Sequence, residues 1–283
     1  MKPLYLTLLL IFLSLNCLSQ SKLDQSKKDL NKSAEKRGET VKKYPDSLAP
    51  ETNGSSSSSS YSSSDPDSFE SLIGGAIITG VMYLTVYSVI GNYESEFQLQ
   101  NNLTTNPYNF EKTGNYIDNE TVNKGLMRLD VDNQLLLSSH SVLGNHLKAK
   151  LRPLKYFYLQ TDYYQLVEVD NLSSLALFNF NFCYDRLRFE RFNLGWTMGA
   201  NYIPNDVKKA GFTFGFNTEW FITKPFSLFS AFKWCRINQQ PVNQIELQGK
   251  YHFNKYFLSV GYEYMKIGSP QYNFVSVGGG VYL

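Results

Sequence analysis

The sequence predicts an all-β fold: an antiparallel transmembrane β-barrel of about ten strands, preceded by a disordered N-terminal tether and one apolar helix. Three observations lead there. Charged residues are only 18% of the 283 residues while aromatic residues reach 15%, with 20 Tyr and 20 Phe; ordinary soluble domains carry about 25% charge. From Leu126 to the C terminus hydrophobicity alternates with a period of two, which sorts side chains onto the two faces of a sheet. The alternating runs last about 8–14 residues, long enough to cross a bilayer as tilted strands.

The chain divides into five segments: a signal peptide (1–19), a Lys/Ser-rich tether (20–68), an apolar helix (69–92), an irregular connector (93–124) and the barrel (125–283). Lys2 supplies a positive n-region, Leu4 to Leu15 an apolar core, and Cys17-Leu18-Ser19 the small residues of a cleavage site before Gln20. The rival reading is a lipoprotein signal acylated at Cys17, with Asn16 in the position that such a signal gives to Gly, Ala or Ser. In the tether, Lys22, Lys27, Lys28, Lys32, Lys36, Arg37, Lys42 and Lys43 give a basic first half, and Ser55 to Ser60 is a homopolymer. Such a stretch buries too little apolar surface to offset its ordering entropy. A sharper reading has its basic half touch an anionic polymer or lipid headgroups.

Leu72 to Gly91 then carries no charge over twenty residues. Three readings compete: an inner-membrane span, a helix docked on the rest of the protein, and two short buried strands. Small residues four apart (Gly75 and Thr79, Ala76 and Gly80) and the conflict of a span with export favour the docked helix.

Ten strands are expected near 126–138, 145–152, 156–169, 175–184, 192–203, 210–222, 226–237, 243–254, 255–267 and 272–283. In Phe212 to Trp220 the aromatic residues take the even positions; Phe192, Leu194, Trp196, Met198, Ala200 and Tyr202 form a similar set. In Gln244 to Asn254 the phase flips. The polar face, rich in Gly, Asn and Thr, carries charges of both signs. This suits a confined lumen behind a lipid-facing wall better than the face of a soluble sandwich. The predicted lumen charges are Arg128, Asp130, Asp132, Lys148, Lys150, Arg152, Asp162, Glu219, Lys233, Glu246, Lys250 and Glu263. Tight turns at Arg152-Pro153-Leu154-Lys155, Thr223-Lys224-Pro225 and Asn254-Lys255 belong to the periplasmic side of such a barrel. Both barrel termini and the tether then lie in the periplasm. Cys183 and Cys235 face inward near opposite ends of the fourth and seventh strands, with two strands between them, too far for a disulfide.

The signal, the alternating aromatic strands and the closing strand Tyr272 to Leu283 resemble the outer-membrane β-barrel proteins of Gram-negative bacteria. The Ser-Gln end of the signal resembles exported proteins of Bacteroidota-type bacteria, and Asp46-Ser47-Leu48 their O-glycosylation sites. The resemblance implies an outer-membrane location and outer-membrane lipid as a partner. It also implies an aromatic last residue, whereas Leu283 is last here and Tyr282 penultimate.

Little chemistry is legible. A net charge of +2 rules out nothing, but without a concentrated basic patch it gives no support to a nucleic-acid binder, and no nucleic-acid partner is expected. Three Cys exclude a disulfide scaffold and a four-Cys zinc site. His140, His146 and His252 lack metal-ligand spacing, and Gly278-Gly279-Gly280 lacks the helix and Lys of a phosphate loop; it reads as relief for a crowded wall. Neither His140-Ser141 nor His146-Leu147 matches the His-x-Ser pair that membrane-embedded hydrolases share. Asp130 and Asp132 pair with Arg128 rather than acting as acid and base. The sequence therefore predicts a non-enzyme with no cofactor and no catalytic or metal residue. It is expected to be a structural or accessory barrel whose N-terminal arm reaches a periplasmic or outer-membrane protein. The alternatives are a narrow selective channel and a hydrolase at the outer rim using Ser138, Ser139 and His140.

Overall fold

The computed structural model describes residues 21–32, 80, 82, 83, 85–109, 112–118, 127–138 and 141–283. The signal peptide, most of the tether with Asp46-Ser47-Leu48, and Ser139 with His140 lie outside these residues. One helix, α1 (Lys22–Asn31), comes first. Four two-residue strands follow: β1 (Asn102–Leu103), β2 (Tyr108–Asn109), β3 (Lys112–Thr113) and β4 (Tyr116–Ile117). The wall is β5 (Arg128–Leu137), β6 (Val142–Arg152), β7 (Phe157–Glu168), β8 (Ser173–Arg188), β9 (Phe192–Ile203), β10 (Lys209–Phe221), β11 (Phe226–Ile237), β12 (Gln240–Phe253), β13 (Tyr256–Ile267) and β14 (Gln271–Tyr282).

These ten strands form one closed barrel in sequence order, every neighbour antiparallel. β14 returns to β5 in a register running from Val275 opposite Leu137 to Tyr282 opposite Asp130. Close approach at this seam explains the glycine run. A Cβ on Gly278 would lie 2.1 Å from the Asn133 carbonyl oxygen, and one on Gly280 2.3 Å from that of Val131.

Three strands exceed their expected bounds by three residues or more, β6 among them, which starts at Val142. β8 continues past Tyr184 because a bulge between Asp185 and Leu187 absorbs the break in alternation. β12 starts at Gln240 because Asn238 and Gln239, both at positive φ, close a two-residue hairpin; Pro241 sits inside the ladder opposite Arg236. Connections are short at both ends of the barrel, so loop length does not distinguish one mouth from the other.

The hydrophobic order is inverted. Phe178, Phe180, Phe212, Phe216, Trp220, Trp234 and Leu258 are exposed on the outer face. The inward positions between them are buried and mostly polar. Within the lumen the character then changes with height. Along β5 the inward residues are Arg128, Asp130, Asp132, Gln134 and finally Leu136; along β13 Ser259 and Glu263 give way to Met265 and Ile267. A charged storey thus lies toward the mouth that holds both barrel termini, here the terminus mouth. An apolar cup lies toward the other. Cys183 and Cys235 are buried, free thiols.

The cup is filled by α1, which corrects the reading of residues 22–31 as a solvated tether. Leu23, Ser26 and Leu30 share one helical face at i, i+3 and i+7, and all three are fully buried. The leucines join a cluster with Leu136, Leu166, Leu177, Ile237, Met265 and Phe274. Ser21 caps the helix, accepting from the Asp24 N–H (3.2 Å) and donating to Glu168. Ser26 Oγ donates to the Ile267 carbonyl (2.8 Å). Asn238 Nδ2 donates to the Leu30 carbonyl (2.8 Å), and Asp29 Oδ2 accepts from the Ser269 N–H (3.0 Å). A helix this short is marginal alone. Burying two leucines contributes roughly 1.5–3 kcal/mol each, so the barrel holds the helix. Composition missed it because the two leucines are diluted by lysines that point outward.

Phe214→Arg and Leu247→Arg place a charge on the outer face and are expected to cost about 2–4 kcal/mol near a bilayer midplane. Asn substitutions at their buried, inward neighbours Thr197 and Gln248 are expected to cost less. Unfolding in lipid vesicles, followed by gel mobility, measures both. The Lys32 ammonium and the Ser269 N–H hold the Asp29 carboxyl below the usual carboxylate range, against the opposing effect of burial. That contribution is complete above the unfolded value and is lost as pH falls through the folded one. Hydrogen exchange is therefore expected to show α1 protected near neutrality and less protected at acid pH, once Asp29 is protonated, while the barrel stays closed. Asp29→Asn flattens this dependence.

Candidate functional site

The inward face of the charged storey concentrates the chemistry of this chain. Period two in the strands brings residues from nonadjacent strands face to face across a narrow lumen. All twelve sequence-predicted lumen charges are buried there, between 1% and 9% exposed. Six are cationic (Arg128, Lys148, Lys150, Arg152, Lys233, Lys250) and six anionic (Asp130, Asp132, Asp162, Glu219, Glu246, Glu263). Their balance follows from cost: an unpaired buried ion carries a penalty of several kcal/mol.

The contacts form three groups. Near the terminus mouth, Arg128 Nε donates to Asp130 Oδ1 (2.6 Å), and Arg152 reaches Asp130 (3.4 Å) and Asp185 (2.8 Å). At mid-height Lys148 pairs with Glu246, Lys233 with Asp162 (2.6 Å), and Lys250 stands 3.8 Å from Glu219. Phe229 lies under three ammonium groups, at 4.9 Å for Lys148 and 4.4 Å for Lys150 and Lys250, which offsets part of their crowding. The third group is His146. Its Nδ1 is 3.0 Å from Glu263 and its Nε2 3.3 Å from Asp162. Both nitrogens donate at once only in the protonated ring.

Five inward charged or histidine residues lie outside the predicted lumen set. His146 shares the phase of Lys148 and Lys150, and His252 that of Glu246 and Lys250, so strand phase alone points both inward. Glu168 continues the phase of Asp162 at the end of β7. Asp185 and Arg188 lie at and beyond the bulge, where simple alternation stops.

His146, Glu246 and Glu263 offer ligand atoms within 4.8 Å of one another. Lys148 already occupies Glu246 and both ring nitrogens are taken, so the cluster is satisfied by ion pairs. A second candidate appears at the terminus mouth. Ser227 Oγ lies 2.7 Å from His252 Nε2, and Tyr282 Oη lies 3.1 Å from Nδ1. The nearby carboxylate, Glu219, accepts from Ser227 at 3.2 Å rather than from the imidazole. A nucleophile–base relay needs the acid behind the base. Ser227 and His252 are also fully buried.

Both mouths are covered. α1 fills one. Across the other, Asn115 Nδ2 donates to Glu219 (2.7 Å), Tyr116 donates to Asp185, and Asn101 Nδ2 donates to the Arg188 carbonyl (2.6 Å). Burial, with the Asp185 carboxylate next, pushes the Tyr116 phenol well above its ordinary range, so it remains a donor. The cavity left among Asp132, Lys148, Lys150, Glu219 and Lys250 measures about 20 Å³, room for a water molecule or two.

Lys148→Met strands Glu246 in the lumen and is expected to destabilise the barrel by about 3–5 kcal/mol. Adding Glu246→Leu is expected to recover most of that loss. A double-mutant cycle from urea unfolding in micelles checks both.

No family model and no curated protein matches the chain. Among solved structures it is similar to the KdgM porin, with a TM-score of 0.35 and 8% identity over 54% of this chain and 98% of that one. It is similar to an outer membrane channel from Pseudomonas putida, with a TM-score of 0.35 and 6% identity over 59% and 100%. The N-terminal β-barrel domain of Pseudomonas aeruginosa OprF gives a TM-score of 0.30 and 10% identity over 55% and 97%.

Proposed function

We propose that this chain is a non-enzymatic integral protein of the outer membrane of a Gram-negative bacterium, exported by its N-terminal signal. It serves as a structural or accessory component rather than a conduit. The inverted distribution of apolar and charged residues supports membrane insertion, because only a closed ladder surrounded by apolar side chains satisfies its backbone in hydrocarbon. The observation that carries the function is the filled lumen: six cations and six anions pack across it, and both mouths are covered. Such a barrel presents surfaces rather than a path. Outer-membrane lipid contacts its wall, and the N-terminal arm beyond α1 is the segment offered to a protein partner at that membrane.

Planar-bilayer recording tests this reading. The purified full chain is expected to give no unitary conductance. A chain lacking residues 22–31 is expected to stay silent too, because the charged storey remains. Steady, ion-selective steps from the full chain would overturn the reading in favour of a narrow channel.

A further inference from the structure

An open groove of about 460 Å³ lies on the outer face near the α1 mouth, where β10, β11 and β12 meet. Phe212 and Trp234 form its apolar side; Arg236, Pro241 and Asn243 form its polar side. The chain fixes its height. Arg236 stands two residues before Asn238, which holds the Leu30 carbonyl of α1.

Local sequence opens the groove. β11 and β12 pair without a break from Phe226 opposite Tyr251 to Lys233 opposite Gln244, and again at Arg236 opposite Pro241. Between those pairs the ladder lapses. Pro241 has no N–H to give, and the Cys235 N–H turns to the side-chain Oδ1 of Asn243 (3.4 Å). On the other flank the β10–β11 register begins only at Thr213 opposite Cys235, so Phe212 lies beyond its last pair. Strand phase points Trp234, Arg236, Asn243 and Lys266 outward, since Cys235, Val242 and Met265 between them are buried inside.

A second observation is electrostatic. Among the described residues, neither Arg236 nor Lys266 has an ion-pair partner. Lys266 neighbours Asn243 across the β12–β13 ladder. The two cations therefore flank the Asn243 amide, two strand spacings or about 10 Å apart. Other outward positions at this level, Ala210, Gln271 and Asn273, carry no charge. Asp206, the acid of the β9–β10 connection, is taken by Lys27 (2.9 Å). Arg186 on β8, by contrast, is matched by Glu96 (2.8 Å). Aromatic rings beside open cations suit the edge of hydrocarbon, and a guanidinium fork suits a phosphate. With no carboxylate at hand, a headgroup ammonium would find no counter-charge here.

We propose that this groove binds one anionic, phosphate-bearing lipid. Its phosphate accepts from Arg236 and the Asn243 amide with Lys266 alongside, and its acyl chains lie on Phe212 and Trp234. The proposal rests on the membrane-spanning reading of the barrel and goes beyond it. The wall as a whole meets any lipid; this groove selects by headgroup charge and fixes the α1 mouth at headgroup level.

Native mass spectrometry of the purified full chain in neutral micelles tests this. Dioleoyl phosphatidylglycerol and dioleoyl phosphatidylcholine are offered at equal concentration. The expected result is one phosphatidylglycerol retained per chain in preference to phosphatidylcholine. Arg236→Gln is expected to weaken that retention about fivefold, the effect of one cation near a charged headgroup. Arg191→Gln, in the exposed β8–β9 connection at the other mouth, is expected to leave it unchanged. Gel mobility confirms that each variant is folded; Arg236→Lys, which keeps the charge without the fork, is expected to fall between and carries the test if Arg236→Gln does not fold. Equal retention of both lipids, or equal effects of the Arg236 and Arg191 substitutions, would overturn the site and leave the spanning barrel standing. Displacement of the lipid by inorganic phosphate at the same concentration would overturn the lipid as ligand in favour of free phosphate. Retention of neither lipid would count against the spanning barrel and the site together.

Discussion

Closure of the sheet is the constraint on which the rest of the structure depends. Pairing β14 with β5 leaves no edge strand in the ladder, so the wall satisfies its own backbone and can meet hydrocarbon. Closure also confines the inward side chains to a space that excludes bulk water. Charges placed there must find partners within a few ångströms, because desolvation otherwise costs several kcal/mol per ion. The pairing of Lys148 with Glu246, Lys233 with Asp162 and Arg152 with Asp185 is therefore a condition of closure. The same pairs fill the lumen, and a filled lumen shapes the function.

The second storey follows a different logic. Above Gln134, His146 and Glu263 the inward residues turn apolar, leaving a cup too wide for the barrel to fill alone. α1 completes it with two leucines and a rim of hydrogen bonds from polar side chains and main-chain groups. The connector does the equivalent at the other mouth by polar contacts, Asn115 to Glu219 and Tyr116 to Asp185. One end is thus closed by apolar burial and the other by extending the charge network. The difference matches the storey that each covers.

Sequence alternation made the wall legible to within a few residues, because period two is imposed by the pleat itself. It also placed twelve charges inside. Alternation failed where geometry changes without a change of composition: at the bulge after Tyr184, which hid Asp185 and Arg188, and at the Asn238-Gln239 hairpin, which let Pro241 enter a ladder. α1 was illegible for another reason. Its apolar face comprises Leu23 and Leu30 with Ser26 between them, too small to identify a helix without the cup that receives it. The pairing of His146 with Glu263 joins residues 117 apart in sequence, which no local pattern encodes.

The central claim is that the apolar face points outward into lipid and the charged face inward. The three tryptophans, Trp196, Trp220 and Trp234, all lie on the outer face, where they report on it directly. Fluorescence of the protein reconstituted in vesicles with brominated acyl chains measures their contact with hydrocarbon. The account predicts blue-shifted emission that is strongly quenched by the bromines. Unquenched emission at the wavelength of water-exposed indole would contradict it, since the outer face would then be a soluble surface.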